Sequence, residues 1–380
     1  MNLKNISRNK DIIDNEGSLE QIFKINQFPL SMGCVDTNPS SDIRIDQIWS
    51  KGINSGVIQL ELLAPLELLY QSQHDAGVVG ALWMEHHEAF ASFIKKRYPS
   101  GPVLEIGGAH GILSKIANNE RDYDWTIIEP APNPAIGVDA KYIKGFFGDT
   151  KHNFTNIKCM VHSHVFEHLY NPIDFLKKSY ESMDKESSMY FAVPNIFEMV
   201  ERGYSNSINF EHTIFLCEEI TEYLFKKQGF NIIEKEFFKE DHSIFYHCKP
   251  AKHLNSSDDI KLDLPKNYTQ VFKNFWHNFE TDAKNLNNII KDKNNPCFIF
   301  GAHIFSQILL RLGLDESNLE GILDNAESKR DKRLYGSELM VDSPSIIKDI
   351  ESPYVVLRAG AYNAEITKQL KHINPDVVII

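Results

Sequence analysis

Apolar residues in the middle of this chain fall into two rhythms. Short stretches at 103–106, 125–128, 158–162, 189–193 and 231–236 read as strands. Between them, apolar positions recur every three or four residues, which predicts helices at 172–183 and 217–228. A further helix is expected from about Val78 to Arg97, with Trp83, His87, Phe90 and Ile94 on one face. Pro99-Ser100-Gly101-Pro102 ends it. Alternation of this kind predicts an α/β, doubly wound sheet with helices on both faces. Ligands of such sheets bind beyond the carboxyl ends of the strands.

The flanks read differently. Residues 1–75 look irregular, with a turn cluster at Asn38-Pro39-Ser40-Ser41 and one apolar stretch, Val57-Ile58-Gln59-Leu60. A polar linker is expected over 250–267, then an amphipathic helix over 268–291. Cys297-Phe298-Ile299-Phe300 then opens a second strand–turn–helix unit at Gly301-Ala302-His303. Leu319–Asp324, Tyr354–Leu357 and Val377–Ile380 complete a small parallel sheet. The expected organisation is an N-terminal lobe (1–75), a central domain (76–250) and a C-terminal domain (268–380).

Bulk properties narrow the function. A chain of 380 residues has room for several cores. Its 42% hydrophobic and 24% charged content is that of a soluble protein. The net charge of −12 argues against a nucleic-acid partner, because phosphate backbones are held by lysine and arginine. It argues equally against a basic membrane-binding patch. No run reaches transmembrane length, and the first residues lack the apolar core of a signal peptide. Five scattered cysteines (34, 159, 217, 248 and 297) form no Cys-x-x-Cys pair. Neither a disulfide framework nor a thiolate metal site is expected, and the default location is cytoplasmic. Oligomeric state is not legible.

The chemistry concentrates at Val103-Leu104-Glu105-Ile106-Gly107-Gly108-Ala109-His110-Gly111. An apolar strand runs there into a glycine-rich turn and then a helix from about Ile112. The next strand ends in Glu129, 24 positions after Glu105. Glycines let a backbone approach a cofactor closely, and an acid at the tip of the second strand can hold both ribose hydroxyls. The spacing departs from Gly-x-Gly-x-x-Gly, with Ala109 at a middle position, and no P-loop lysine follows. A nucleoside cofactor fits; a tight turn with no ligand is the plain alternative.

An acid two residues before the first glycine resembles motif I of class I S-adenosylmethionine (SAM) methyltransferases. More of the chain resembles the sugar C-methyltransferases, which methylate nucleotide-linked keto-deoxysugars. Glu129-Pro130-Ala131-Pro132-Asn133 with Gly145-Phe146-Phe147, and His164-Val165-Phe166-Glu167-His168 with Val193-Pro194-Asn195, match central segments of that family. Gly301-Ala302, Asp324-Asn325 and Ala361–Ile366 match its C-terminal domain. The resemblance implies a Rossmann-like SAM domain, a small N-terminal lobe and a second Rossmann-like domain. The family's N-terminal lobe holds zinc on four cysteines. Here those positions correspond to Ile12, Asn15, Gly52 and Ser55, so the lobe is expected without the metal.

By resemblance, SAM would meet Glu105, Gly107, Gly108, Ala109 and Gly111 at the loop. Glu129 would take the ribose, Pro130, Phe146 and Phe147 would lie near the adenine, and His164 would line the pocket through its backbone. Glu105 would face the methionine end. The family's proton-abstracting histidine corresponds to His212, with Glu211 as its acidic neighbour. A histidine suits that task near neutral pH. Asn209 stands where the family has tyrosine; Glu240-Asp241-His242-Ser243 replaces a His-Gly-Gly-Ser loop; Gln71–Asp75, containing His74, replaces a tyrosine-rich segment. Asn209, His242 and His74 are therefore expected on the substrate side, and no bound metal is expected. His168 reads as a packing residue, and His86-His87 as a solvated face.

The expected function is C-methylation of a nucleotide-activated keto sugar, a small-molecule substrate, through a His212 base and an enolate. Surface polysaccharide or glycosylated-metabolite synthesis would be its setting. O-methylation of a sugar or other small hydroxyl remains open, as does a non-catalytic scaffold built on the same domain.

Overall fold

The structure, a computed structural model, describes residues 6–69, 80–119, 122–149, 154–251, 260–291 and 295–380. His74 lies outside them. The first region is not irregular. It forms an antiparallel three-stranded sheet of β1 (Leu19–Pro29), β2 (Arg44–Gly52) and β3 (Ile58–Leu60). The register of β1 on β2 shifts between Gln21 and Phe23 and again between Ile25 and Phe28. Each shift resets the inward face, so the two-residue alternation that marks a strand is broken in the sequence.

The four positions expected to have lost zinc lie on two turns joined by a buried carboxylate. Asp11 accepts N–H bonds from Ile13 (3.0 Å) and Ser55 (3.3 Å). A Cβ placed on Gly52 would stand 2.0 Å from Asp11 Oδ2, so only glycine fits there.

The central region runs α1 (Ala81–Lys95), β4 (Gly101–Ile106), α2 (Ile112–Asn118), β5 (Tyr123–Glu129) and β6 (Lys141–Lys144). It continues with β7 (Ile157–Ser163), α3 (Pro172–Ser182), β8 (Met183–Pro194), α4 (Glu218–Lys227), β9 (Phe230–Phe238) and β10 (Ser243–Pro250). The seven strands lie in the order β9-β10-β8-β7-β4-β5-β6. Every neighbouring pair is parallel except those of β10, which is antiparallel to both β8 and β9. The expected doubly wound α/β sheet is observed, with two strands added. β6 has four residues and a lysine at each end; β10 is buried along almost its whole length and so shows no alternation. After β4 the chain adds strands on one side, then crosses to β7 and adds them on the other. The crevice between the carboxyl ends of β4 and β7 is the switch point at which such sheets bind ligands.

Beyond it, α5 (Tyr268–Lys291) presses Val271, Phe272, Phe275 and Trp276 into the core that also holds Trp49 of β2. Leu262 and Leu264, inside the expected linker, pack on the same core. A second, wholly parallel sheet follows. Its strands are β11 (Cys297–Phe300), β12 (Gly321–Leu323), β13 (Val341–Asp342), β14 (Tyr354–Leu357) and β15 (Val378–Ile379), in the order β13-β12-β11-β14-β15. Its turn copies the first sheet's: Asp324 accepts N–H bonds from Ala302 and Ala326, each at 2.9 Å. Lys329 also lies on that carboxylate, at 2.8 Å. The N-terminal lobe is fastened here by a buried bidentate pair, Arg333 on Asp42. Among the described residues no helix is long and apolar enough to cross a membrane.

Candidate active site

The glycine-rich turn leaves the end of β4. Gly107 has φ of +71° and Gly111 of +70°, in the left-handed region that favours glycine. Space matters too: a Cβ on Gly107 would meet Val165 Cγ2 at 2.6 Å, and one on Gly108 would meet Glu105 Cδ at 2.8 Å. Glu129 closes the turn from β5. Its Oε2 accepts the Ala109 N–H and its Oε1 the Ala131 N–H, both at 3.0 Å. Each oxygen keeps a further lone pair, so the carboxylate can still receive hydroxyls. The Gly145 N–H donates to the Glu129 carbonyl at 3.1 Å, which brings Phe146 and Phe147 to the same rim as Pro130. Phe147 packs edge-on to Phe175, while Phe146 is exposed.

Glu105 lies beneath the loop, buried, with Oε2 accepting the Trp125 indole N–H at 2.7 Å. Burial raises its carboxyl to about 7, with the nearby Glu129 adding to the rise against the Trp125 bond.

The contact between Gly107 and Val165 joins this loop to a second cluster at the end of β7. There His164 takes φ of +53° and Phe166–His168 make one turn of 3₁₀ helix. The segment carrying His212 docks on it. The Thr213 N–H donates to the Glu167 carbonyl at 3.0 Å and its hydroxyl to the Leu169 carbonyl at 2.8 Å. Arg8 of the N-terminal lobe clamps both segments, donating to the carbonyls of Thr213 (2.9 Å) and Tyr170 (2.8 Å). Strand β3 flanks the same segment through Gln59 and Ile214.

Within this cluster His212 Nδ1 lies 2.7 Å from the Ser207 carbonyl oxygen. Only an N–H can make that contact, so Nε2 carries the lone pair. Ser207, rather than Glu211, thus fixes the tautomer. Glu211 Oε2 instead lies 3.7 Å from His168 Nδ1, and the His168 and His212 rings meet edge-on at 5.1 Å. Burial lowers His212 to about 4, the Ser207 bond opposing it. A free imidazole so displaced is a weak proton acceptor. Glu167 is fully buried and neither oxygen has a partner in hydrogen-bond geometry; burial raises it to about 8, its own backbone N–H opposing the rise and the Glu211 charge adding to it.

The remaining candidates separate. Asn209 spends its side chain on its own loop: Oδ1 accepts the N–H groups of Glu211 (2.7 Å) and His212 (2.9 Å), and Nδ2 donates to the Asn206 carbonyl. His164 and His242 both reach the Ser243 hydroxyl, at 3.0 Å and 2.6 Å. His86 joins them, with Trp83 edge-on to all three rings. It is not on a solvated face: it is fully buried, and burial lowers it to about 2. Sequence reasoning missed Arg8 and Ser207. Arg8 acts across more than 200 positions of sequence and Ser207 through its backbone, and neither leaves a local pattern.

Residues 82–235 match the model of a methyltransferase domain. A protein from Pyrococcus horikoshii is 11% identical, covers 49% of this chain and 98% of its own, and superposes with a TM-score of 0.38. An S-adenosylmethionine-dependent methyltransferase from Mesorhizobium loti is 10% identical, with coverage of 45% and 98% and a TM-score of 0.36. The plantazolicin methyltransferase BpumL, solved with S-adenosylhomocysteine, is 13% identical, with coverage of 44% and 84% and a TM-score of 0.35. Over 197 residues the chain is also 28% identical to DNA topoisomerase 1 of Mycoplasma genitalium, a match covering 52% of this chain. The chain spans about a quarter of that relative's length, 23%.

Proposed function

We propose that this chain, through its SAM-dependent methyltransferase domain, methylates a nucleotide-activated sugar, and that Glu167, His168, Glu211 and His212 form the acceptor end of the site. A keto-deoxysugar is the first reading. Its ketone acidifies the neighbouring C–H bond, the resulting enolate attacks the SAM methyl group, and the sulfonium leaves as a neutral thioether. Alignment is most of what such a transfer asks of the protein. One observation carries the placement: His212 presents an unprotonated Nε2, fixed through Ser207, on a segment hydrogen-bonded to the end of β7 beside the glycine turn. That lone pair is where the acceptor is activated.

A second reading, methylation of a sugar hydroxyl, is favoured by the lowered basicity of His212. A hydroxyl is more acidic than an unassisted C–H bond. One experiment tests both readings. Nucleotide sugars are screened with radiolabelled SAM and the new methyl is located by NMR. Incubation with S-adenosylhomocysteine in D₂O should exchange the hydrogen beside the ketone for carbon methylation, and His212→Ala should abolish it. A methyl on oxygen selects the second reading; no labelled sugar sinks both.

A further inference from the structure

We infer that Glu167, His168 and His212 form a binding site for a divalent first-row metal ion, whose open positions take an oxygen of the methyl acceptor. One ligand atom from each of the three residues lies within 4.8 Å of the other two. His212 is already set for the role. Its Nδ1–H is held by the Ser207 carbonyl, which aims the Nε2 lone pair at the cluster. His168 has Nε2 3.6 Å from Glu167 Oε1, and its Nδ1 faces the Glu211 carboxylate at 3.7 Å, beyond hydrogen-bond distance. A carbonyl behind the ring, as Ser207 stands behind His212, is the support that metal-bound histidines need.

Glu167 supplies the independent observation. It has no exposed surface, and neither carboxylate oxygen makes a hydrogen bond. Burying a carboxylate without partners is costly. Its neighbours stand too far off to relieve it: His168 Nε2 at 3.6 Å and His164 Nδ1 at 3.5 Å from the same Oε1. Those distances are long for hydrogen bonds. The His168 separation suits two atoms sharing one ion, since two ligands each about 2.1 Å from a metal at a tetrahedral angle are about 3.4 Å apart.

Two imidazoles and one carboxylate leave coordination positions for small ligands, a set that iron(II), zinc and similar ions accept. The cluster adjoins the glycine turn through Val165. A cation there would hold the His212 Nε2 lone pair and polarise a ketone or hydroxyl oxygen, so that the ion would take over the activation assigned above to the free imidazole. The identity of the acceptor rests on the function proposed above; the metal site does not.

The test uses Co²⁺ and the full chain after dialysis against a chelator. Titration followed by visible absorption and elemental analysis should give one Co²⁺ per chain. Paramagnetic shifts should fall on the imidazole signals of His168 and His212 in the unsubstituted protein, a readout that needs no variant to fold. Glu167→Gln and His168→Gln, checked for folding by circular dichroism, should each weaken Co²⁺ binding at least about 100-fold, because a direct ligand is worth more than the roughly 10- to 100-fold of a supporting partner. His242→Gln, in the neighbouring histidine cluster, should leave it unchanged. No bound Co²⁺, or binding lost in His242→Gln and kept in Glu167→Gln, overturns the site. Because no sugar is present, those results leave the proposed substrate standing. Failure of the Co²⁺-loaded chain to methylate any nucleotide sugar would remove the substrate alone.

Discussion

The Trp125 indole donates its N–H to Glu105 at 2.7 Å, and both side chains are buried under the glycine turn. This bond is too little to keep the carboxylate in its ordinary range, because burial raises it from 4.5 to about 7. The folded chain therefore binds this proton more tightly than the unfolded chain does. The contribution of Glu105 to stability should be greatest below about pH 4.5, fall as the pH rises, and level off above about 7. A displacement of that size corresponds to about 3 kcal/mol. Glu105→Gln removes the charge and keeps the shape. Urea unfolding between pH 5 and 8 should show the variant gaining on the unsubstituted protein by a few kcal/mol; parallel curves would contradict the assignment.

Glu129 has two duties. It ties the turn to β5 through Ala109 and Ala131, and by the reading above it holds the ribose. Glu129→Gln keeps an acceptor but loses the charge, and should weaken SAM binding roughly 10- to 150-fold, the range for a charge-assisted hydrogen bond. Glu129→Ala should add a loss of thermal stability, because two backbone N–H groups lose their partner. Calorimetry with unchanged SAM affinity in both variants would take Glu129 out of the cofactor site.

These two acids mark what the sequence made legible. Strands β4, β5, β7, β8 and β9 and four strands of the second sheet, all but β13, follow from the pattern of apolar stretches, and Glu105, Gly107 and Glu129 follow from fixed spacing along the chain. β1 was hidden because two register shifts break its alternation. The acceptor cluster was legible only in part. His212 could be found from its segment, but its partner is the Ser207 backbone, and Glu167 and His168 meet it only because Thr213 docks on Glu167 and Leu169. A pattern of residue types carries no record of which carbonyl receives an imidazole N–H. His86 was misplaced for a related reason: on a helix with polar neighbours it reads as solvated, yet His164 and His242 arrive from distant strands to bury it.

Asp11 gives a prediction about the N-terminal lobe. Its carboxylate joins the two turns through Ile13 and Ser55 and fills the space beside Gly52. Asp11→Ala leaves buried N–H groups unsatisfied and should cost about 1–3 kcal/mol in denaturant unfolding. Gly52→Ala should cost at least as much, since its Cβ would collide with Asp11 Oδ2 at 2.0 Å. A neutral Gly52→Ala would show that Asp11 turns away readily and that the turns are held by other contacts.

Arg8 should matter to turnover far more than its position suggests. Its guanidinium is part-buried, and loss of solvent lowers its pKa to about 9. It donates to the carbonyls of Leu169, Tyr170 and Thr213, and so joins the segment carrying Glu167 and His168 to the one carrying His212. It touches no residue of the glycine turn in these bonds. Removing it should therefore disturb the acceptor end and spare the cofactor end. Arg8→Ala is expected to lower kcat about 10²-fold, the scale on which misplacing a positioned group acts, with SAM affinity changed less than threefold. Arg8→Lys should recover only part of the loss, because one ammonium cannot reproduce a planar fork that reaches three carbonyls. A merely structural arginine predicts the opposite split: lower thermal stability, with kcat per folded molecule intact. Measuring kcat, SAM affinity and the unfolding midpoint on the same preparations separates the two, and an unchanged kcat in folded Arg8→Ala would remove Arg8 from any positioning role.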